Sequence, residues 1–194
     1  IGHQAADYAE LTQWWGKHTP QKKAQLYIGQ NAARTMDSGQ LEEKLALSRR
    51  NSSGNSWWSG EDLVKNYKGL GDSLITSYQT YRALLPEIHG ALGKTKAPAA
   101  ISLILEDTNE DGHMILWDDY REPSDPESAF YYAVYAFPEG TRPDISDVRY
   151  LMSISTNPYF ILPSMERGMT YRYMVTAINR FWQESKPASI RISY

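Results

Sequence analysis

The clearest pattern of hydrophobic and polar positions lies between Met169 and Ile178, where side chains alternate between two faces. One face carries Tyr171, Tyr173, Val175 and Ala177, and the other carries Arg172, Met174, Thr176 and Ile178. A period of two residues is typical of a β-strand. Gly168 precedes the pattern and Asn179 follows it, and both residue types favour turns. The pattern therefore predicts a strand that is bounded by turns on both sides.

Short runs of the same kind fill the second half of the chain after a Lys/Pro linker at Lys94 to Pro98. The predicted strands are Ala100 to Glu106, His113 to Trp117, Ala129 to Phe137, Tyr150 to Ile154, Tyr159 to Leu162, Met169 to Ile178 and Ser189 to Ser193. A turn of the Asp-Gly type joins the first two. Seven short strands in about 95 residues indicate a β-sandwich domain over residues 95–194.

Three features of this half resemble a fibronectin type III domain. Leu162…Gly168…Tyr171 resembles a tyrosine corner, in which a Tyr hydroxyl ties its strand to the preceding crossover. Trp117 falls where such a domain places its core Trp, and Glu184-Ser185-Lys186-Pro187 resembles its last turn. The resemblance implies an accessory module of the fibronectin type III kind.

The first half shows helical spacing that alternates with short apolar strands. Helices are predicted at Ala5 to His18, Gly39 to Arg50, Ser59 to Tyr67 and Asp72 to Leu85, and strands at Gln25 to Gly29 and Gly54 to Trp58. This alternation favours a parallel sheet with helical crossovers. Two parallel strands cannot close a core, and a (β/α)₈ barrel needs eight strands and roughly 250 residues. Residues 1–90 are therefore predicted to be a fragment of a larger α/β domain, or a unit that a partner completes.

Several short motifs of this half resemble the final portion of the glycosyl-hydrolase-like 10 family, bacterial TIM-barrel proteins that are often lipoproteins. They are Ile1-Gly2-His3, Ala6-Asp7-Tyr8, Trp14-Trp15, Leu26-Tyr27-Ile28-Gly29-Gln30 and Gly54…Trp57-Trp58. The resemblance aligns residue 1 with the loop after barrel strand six, so that residues 1–90 would supply the last two strands and their helices. It also implies a periplasmic, outer-membrane-anchored or extracellular location.

Composition narrows the classes of function. The 194 residues carry a net charge of −3, which provides no basic field for nucleic acid, and no apolar run approaches the length of a membrane span. The absence of cysteine excludes disulfides and thiol catalysis, and no cofactor or metal is expected. Fourteen Tyr and six Trp are the one excess, and exposed aromatic faces are used by proteins that bind sugars.

Five residues are candidates for substrate binding, each with an alternative role. Gln30, Asn31 and Arg34 follow the first strand, where a barrel has its active-site mouth, although they could equally solvate a loop; of the three, Gln30 and Arg34 are kept as candidates. His3 could bind a sugar hydroxyl or be a surface residue. Trp57 and Trp58 are adjacent and must point to opposite sides of a strand, so one could stack on a pyranose and the other pack in the core.

No catalytic residue is predicted in this chain. Glycosidases need two opposed carboxyl groups, and the acids near the strand ends have simpler roles, Asp37 in a turn and Glu61 and Asp62 at a helix N-terminus. The acidic clusters Asp107…Glu110-Asp111 and Asp118-Asp119 could bind calcium, although solvated turns also explain them.

Two functions follow as hypotheses. The first is the C-terminal part of a glycoside-hydrolase-like protein that handles extracellular or cell-envelope polysaccharide, with the catalytic carboxylates on the other barrel strands. The second is a non-catalytic module that binds carbohydrate or protein. In either case the unpaired sheet edges predict self-association of the isolated chain.

Overall fold

A computed structural model describes residues 7–19, 24–88, 95–102, 104–110, 112–118 and 121–194. The chain divides into two compact units. Unit 1 extends to Thr80, whereas Tyr81–Glu87 belongs to unit 2 together with the C-terminal part of the chain. The segment Tyr81–Glu87, placed with residues 1–90 in the sequence analysis, is therefore associated with the second unit.

Unit 1 alternates helices with two strands. Its elements are α1 (Tyr8–His18), β1 (Tyr27–Asn31), α2 (Ala32–Asp37), α3 (Leu41–Asn51), β2 (Gly54–Trp58), α4 (Gly60–Val64), a 3₁₀ turn (Tyr67–Gly69), α5 (Leu70–Ser73) and a π-helical turn (Leu74–Tyr78). Among these helices and those of the rest of the described chain, none has the length and apolar character that crossing a membrane requires.

Local capping explains where two of the helices start. The carboxylate of Asp7 accepts hydrogen bonds from the backbone N–H groups of Ala9 and Glu10, at 2.7 and 3.2 Å, which satisfies free donors in the first turn of α1. Ser59 and Asp62 form a reciprocal capping box at the start of α4. The helix N-terminus predicted at Ser59 to Asp62 is therefore confirmed.

The two strands of unit 1 pair in parallel, with Gln30 opposite Trp57 and Asn31 opposite Trp58. Their helix-facing side packs on an apolar cluster of Ala32, Leu41, Leu45, Leu70 and Leu74. Within the described residues this sheet has two strands. The parallel β/α arrangement follows the sequence pattern, and the larger barrel remains a proposal.

Several boundaries of unit 1 differ from the pattern-based prediction. β1 ends at Asn31 instead of Gly29, and the short helix α2 follows it directly. The helix predicted over Asp72 to Leu85 ends with the turn Leu74–Tyr78. The helix predicted beyond Tyr78 is therefore wrong. The apolar residues there serve tertiary packing instead, since Leu84 packs on the β-sheet of unit 2.

Unit 2 is a β-sandwich, as the strand pattern predicts. Its strands are β3 (Ile104–Asn109), β4 (Gly112–Trp117), β5 (Tyr131–Pro138), β6 (Leu151–Ser155), β7 (Tyr159–Ile161), β8 (Thr170–Ile178) and β9 (Ala188–Ser193). They form one sheet in the order β3-β4-β7 and a second in the order β6-β5-β8-β9, with all pairs antiparallel.

The core between the two sheets is aromatic. Trp117 is buried and meets the ring of Tyr132 edge-on, with 5.4 Å between ring centroids, so the core position predicted for Trp117 is confirmed. The hydroxyl of Tyr173 pairs with that of Tyr194 at 2.6 Å. Tyr171 contacts the same two residues through its ring, which packs beside those of Tyr173 and Tyr194.

The outer face of the four-stranded sheet is also apolar and covered. Tyr135, Phe137 and Ile178 are at most 1 % exposed there, and Leu84 packs against their cluster. We call the segment Tyr81–Glu87 the strap. Leu84 of the strap covers this face together with partly buried side chains from elsewhere in unit 2, among them Ile145, Tyr150 and Trp182. Both faces of the sheet are therefore buried, which alternation within β8 alone does not reveal.

Candidate functional site

The uncovered face of the β1–β2 sheet is the candidate site of unit 1. Side chains that alternate with the helix-facing ones lie on it, namely Tyr27, Asn31, Ser56 and Trp58. A Cβ atom built on Gly29 would meet no heavy atom within 4 Å, so the space over the middle of β1 is open. Tyr27 covers Gly54 in the neighbouring strand. We call this surface the open face.

The two adjacent indoles take opposite sides, as predicted for a strand. Trp57 packs against the apolar cluster under the helices, whereas Trp58 is 74 % exposed on the open face. Trp58 ends β2, so its ring lies at the C-terminal edge of the parallel pair. An exposed indole at that edge offers a flat apolar surface with one N–H donor, which suits contact with a sugar ring.

Gln30 lies on the helix side of the sheet and is 2 % exposed. Its amide nitrogen donates to the hydroxyl of Tyr8 and, at 3.1 Å, to Oδ1 of Asn55. Burial raises the pKa of the Tyr8 phenol, so this hydroxyl stays protonated at neutral pH. Oε1 of Gln30 is buried without a hydrogen-bond partner among the described residues. Gln30 therefore joins α1 to the sheet and is directed away from the open face.

The other candidates have different positions. Arg34 is exposed on α2, and its backbone N–H donates a hydrogen bond to Oδ1 of Asn31 at 2.8 Å. It also takes part in a further interaction, so it is not a free cation. His3 lies outside the described residues. Asn31, beside Trp58 in the register, faces the open side. The sequence places Asn31 after the first strand with Gln30 and Arg34, although it is not one of the five candidates. The parity of β1 would have indicated Asn31 had the strand been extended to its true end.

The acids near the strand ends all have structural partners. Asp37 accepts hydrogen bonds from Lys68 at 2.5 Å and from Tyr67 at 3.0 Å, and these bonds, chiefly that from Lys68, lower the pKa of its carboxyl. Glu61 pairs with Lys65, and Asp62 closes the capping box. The open face itself carries no carboxylate among its described residues. The described residues of the open face therefore supply no pair of opposed carboxyl groups of the kind that glycosidases use.

A second surface of unit 1 is an apolar groove beside β1. It has a volume of about 390 Å³ and is lined by Tyr8, Leu11, Thr12, Trp15, Leu26, Tyr27, Ile28 and Gly29. Leu11 and Trp15 are 45 % and 50 % exposed. We call this surface the edge groove, because it lies between α1 and β1 in a sheet whose described part has two strands.

The acidic clusters of unit 2 form no metal centre in the part that the structure describes, where no three His, Asp or Glu side chains converge. Oδ2 of Asp107 accepts from the side chain of Asn109 at 3.3 Å, and Asp118 accepts from Ser102 at 3.2 Å. Asp111 and Asp119 lie outside the described residues.

Comparison with known proteins adds one sequence relative of note. The chain is 26 % identical over 200 residues to "Glycosyl hydrolase YngK" of Bacillus subtilis (strain 168). This match includes 96 % of the chain but only 38 % of the relative, so the chain spans well under half of that protein's length. No family model matches the chain.

Solved structures resemble about half of the chain. The fn3 domain of human collagen alpha-1(XX) covers 54 % of the chain and 91 % of its own length, with 18 % identity and a TM-score of 0.35. The Clostridium perfringens spore cortex lytic enzyme SleM covers 50 % of the chain and 28 % of its own length, with 10 % identity and a TM-score of 0.36.

Proposed function

We propose that this chain is the C-terminal part of a glycoside-hydrolase-like protein of the glycosyl-hydrolase-like 10 type, acting on extracellular or cell-envelope polysaccharide. The observation that carries the proposal is the similarity to a glycosyl hydrolase along nearly the whole chain, which spans 38 % of that relative. The remaining length of such a protein would hold six further barrel strands and the catalytic carboxylates. Its location would be periplasmic, outer-membrane-anchored or extracellular.

The geometry of unit 1 suits this role. In a (β/α)₈ barrel the helix-facing side of each strand packs outward and the other side faces the interior, with the active site at the C-terminal ends of the strands. The open face would then be the interior side, and Trp58 and Asn31 would stand at the mouth. The edge groove would receive the neighbouring strand and helix of the complete barrel.

In this arrangement each group on the open face has a definite task. The indole of Trp58 would stack on the apolar face of a pyranose and exclude water from it. The Asn31 amide would bind a hydroxyl group while its Oδ1 holds the start of α2. General acid and base or nucleophile would come from the preceding strands, at the separation that glycosidases require.

The test is hydrolysis of a glycan panel by the full-length protein. We expect release of reducing ends, and a loss of about 10³-fold or more when either strand-borne catalytic carboxylate is changed to its amide. Absence of hydrolysis across cell-wall and exopolysaccharide substrates would contradict the proposal.

A non-catalytic binding module is the second candidate, and the 74 % exposure of Trp58 on a face whose described residues carry no carboxylate favours it. It predicts that the full-length protein binds polysaccharide in calorimetry but leaves it intact, and that Trp58→Ala abolishes the heat of binding. Hydrolysis dependent on the strand carboxylates would rule this candidate out.

A further inference from the structure

A groove at one end of the sandwich lies far along the chain from the open face. It is about 350 Å³ in volume, within the range of roughly 300–1,000 Å³ of small-molecule sites, and its lining includes Arg121, Glu122, Phe130, Thr156 and Arg180. These residues come from three connections, which follow β4, β6 and β8. The connections meet because Tyr131 pairs with Ile178, and Tyr132 pairs with Ser155. We call it the loop-end groove.

Arg180 is the functional group that distinguishes this groove. Its guanidinium carbon lies 4.6 Å from the centre of the Phe130 ring, and the side chain is exposed. Within the described part of the chain it pairs with no carboxylate, in contrast to Arg149 with Asp147 and Arg191 with Glu139. Stacking holds the plane of a guanidinium and leaves its N–H edge available for a planar anion.

The turn that carries Arg180 is rigid. Asn179 is fully buried, and its Oδ1 accepts hydrogen bonds from the backbone N–H groups of Phe181 and Gln183, at 2.9 and 3.0 Å. Its amide nitrogen donates to the backbone carbonyl of Lys96 at 2.9 Å. A fixed backbone means that little conformational entropy is lost when Arg180 binds a ligand.

The remaining polar groups define the ligand further. The Glu122 carboxylate accepts from Ser124 N–H and Oγ, and these bonds lower its pKa, so it remains an anion at neutral pH. With Arg121 and Arg180 as the two cations of the lining and Glu122 as its anion, the groove suits a single negative charge better than a polyanion. The hydroxyl of Thr156 and the ring of Phe130 offer a hydrogen bond and an apolar contact, which match a sugar.

We propose that the loop-end groove binds the carboxylate of an acidic sugar residue, with Arg180 as the bidentate donor. The choice of a sugar as the carrier of the carboxylate rests on the proposed carbohydrate function. Two sources share this chemistry, a uronic acid, in which the carboxylate is C6 of the ring, and a muramyl sugar, in which it belongs to a lactyl ether.

Saturation-transfer NMR with the full chain tests whether the loop-end groove binds acidic sugars. The signals are observed on the small ligand, so the method works even if the protein self-associates into large particles. The probes are glucuronate and its uncharged methyl ester, N-acetylmuramate and N-acetylglucosamine, and acetate. We expect saturation transfer to at least one acidic sugar, weaker transfer to its neutral counterpart and to acetate, and a preference that identifies the source.

Variants assign the binding to the groove. Arg180→Ala should weaken binding of the acidic sugar about tenfold or more, and Arg180→Lys should also weaken it because lysine keeps the charge but not the fork. Arg167→Ala removes the same charge from the exposed loop before β8, at the opposite end of that strand, and should leave binding unchanged.

Equal binding of neutral and acidic sugars, equal binding of acetate, or full binding by Arg180→Ala with an unchanged melting temperature would each overturn the inference. Its failure is separable from that of the proposed function. If the full-length protein hydrolyses glycans but shows no Arg180-dependent binding, only the proposal for the loop-end groove is contradicted. If binding depends on Arg180 but no hydrolysis is seen, only the proposed enzymatic function is contradicted.

Discussion

At the scale of single residues, side-chain parity in two short strands decides which groups can meet a ligand. The sequence predicts that Trp57 and Trp58 point to opposite sides, because successive residues of a strand do so. It does not indicate which one is exposed, since that depends on the side that the helices cover. Gln30 shows the same limit, because extending β1 by two residues places it inside the strand and on the helix side.

The two indoles provide a matched pair of variants. Trp58→Ala should leave the free energy of unfolding within about 0.5 kcal/mol of the wild type, because the ring is mostly in solvent, and should remove glycan binding. Trp57→Ala should destabilise unit 1 by about 3 kcal/mol through loss of packing on Leu41 and its neighbours. Hydrogen exchange of the β1 and β2 amides measures the stability of unit 1 in both variants, and calorimetry with polysaccharide measures their glycan binding. If a folded Trp58→Ala protein still bound the glycan, the proposal that Trp58 stacks on a sugar ring would be contradicted.

Gln30→Ala tests whether this residue acts in substrate binding or in structure. Its buried amide joins Tyr8 to Asn55, so we expect a loss of about 1–3 kcal/mol in the stability of unit 1. Arg34→Ala, at an exposed position on α2, is the control for a small change in stability. A Gln30→Ala protein of unchanged stability with weakened glycan affinity would contradict the structural role.

At the scale of elements, the sandwich is well predicted and the strap is not. Seven runs with turn residues between them indicate seven strands, and each of the seven appears within a few residues of its predicted place. The strap was predicted as the end of a helix, since Leu84 and Leu85 continue an apolar spacing. The strap is held instead by tertiary contacts, the packing of Leu84 on the apolar cluster of β5 and β8 and the hydrogen bond from the Gln183 amide to Glu87 at 2.7 Å.

Leu84→Ala should therefore lower the free energy of unfolding of unit 2 by about 1–2 kcal/mol, as expected for a partly buried leucine. The neighbouring Leu85 is 56 % exposed. Leu85→Ala should therefore change the free energy of unfolding by less than about 0.5 kcal/mol. Hydrogen exchange of the β5 and β8 amides reports on this unit. Equal effects of the two variants would show that the strap does not cover the sheet in solution.

At the scale of the whole molecule, the central feature is a parallel sheet that has two strands in the described chain. The sequence predicts this incompleteness by arithmetic, because two β/α units cannot enclose a cavity. The structure adds where uncovered surfaces lie, on the open face and in the edge groove, which carries the half-exposed Trp15. Neither position follows from periodicity alone.

An isolated 194-residue chain should self-associate through these surfaces, since unpaired strand edges and apolar patches favour association. We expect light scattering to show a mass above that of the monomer that falls on dilution. A Leu11→Lys, Trp15→Glu variant should reduce the association, whereas Leu85→Glu in unit 2 should not. A concentration-independent monomer would contradict this prediction.

Hydroxyl-radical footprinting of the 194-residue chain and the full-length protein, both at high dilution, tests the central claim most directly. If the rest of a barrel covers the edge groove, oxidation of Trp15 should fall several-fold in the full-length protein, while Trp58 at the open mouth stays reactive. Equal oxidation of Trp15 in the two proteins would contradict the claim that unit 1 is completed by the preceding part of the polypeptide.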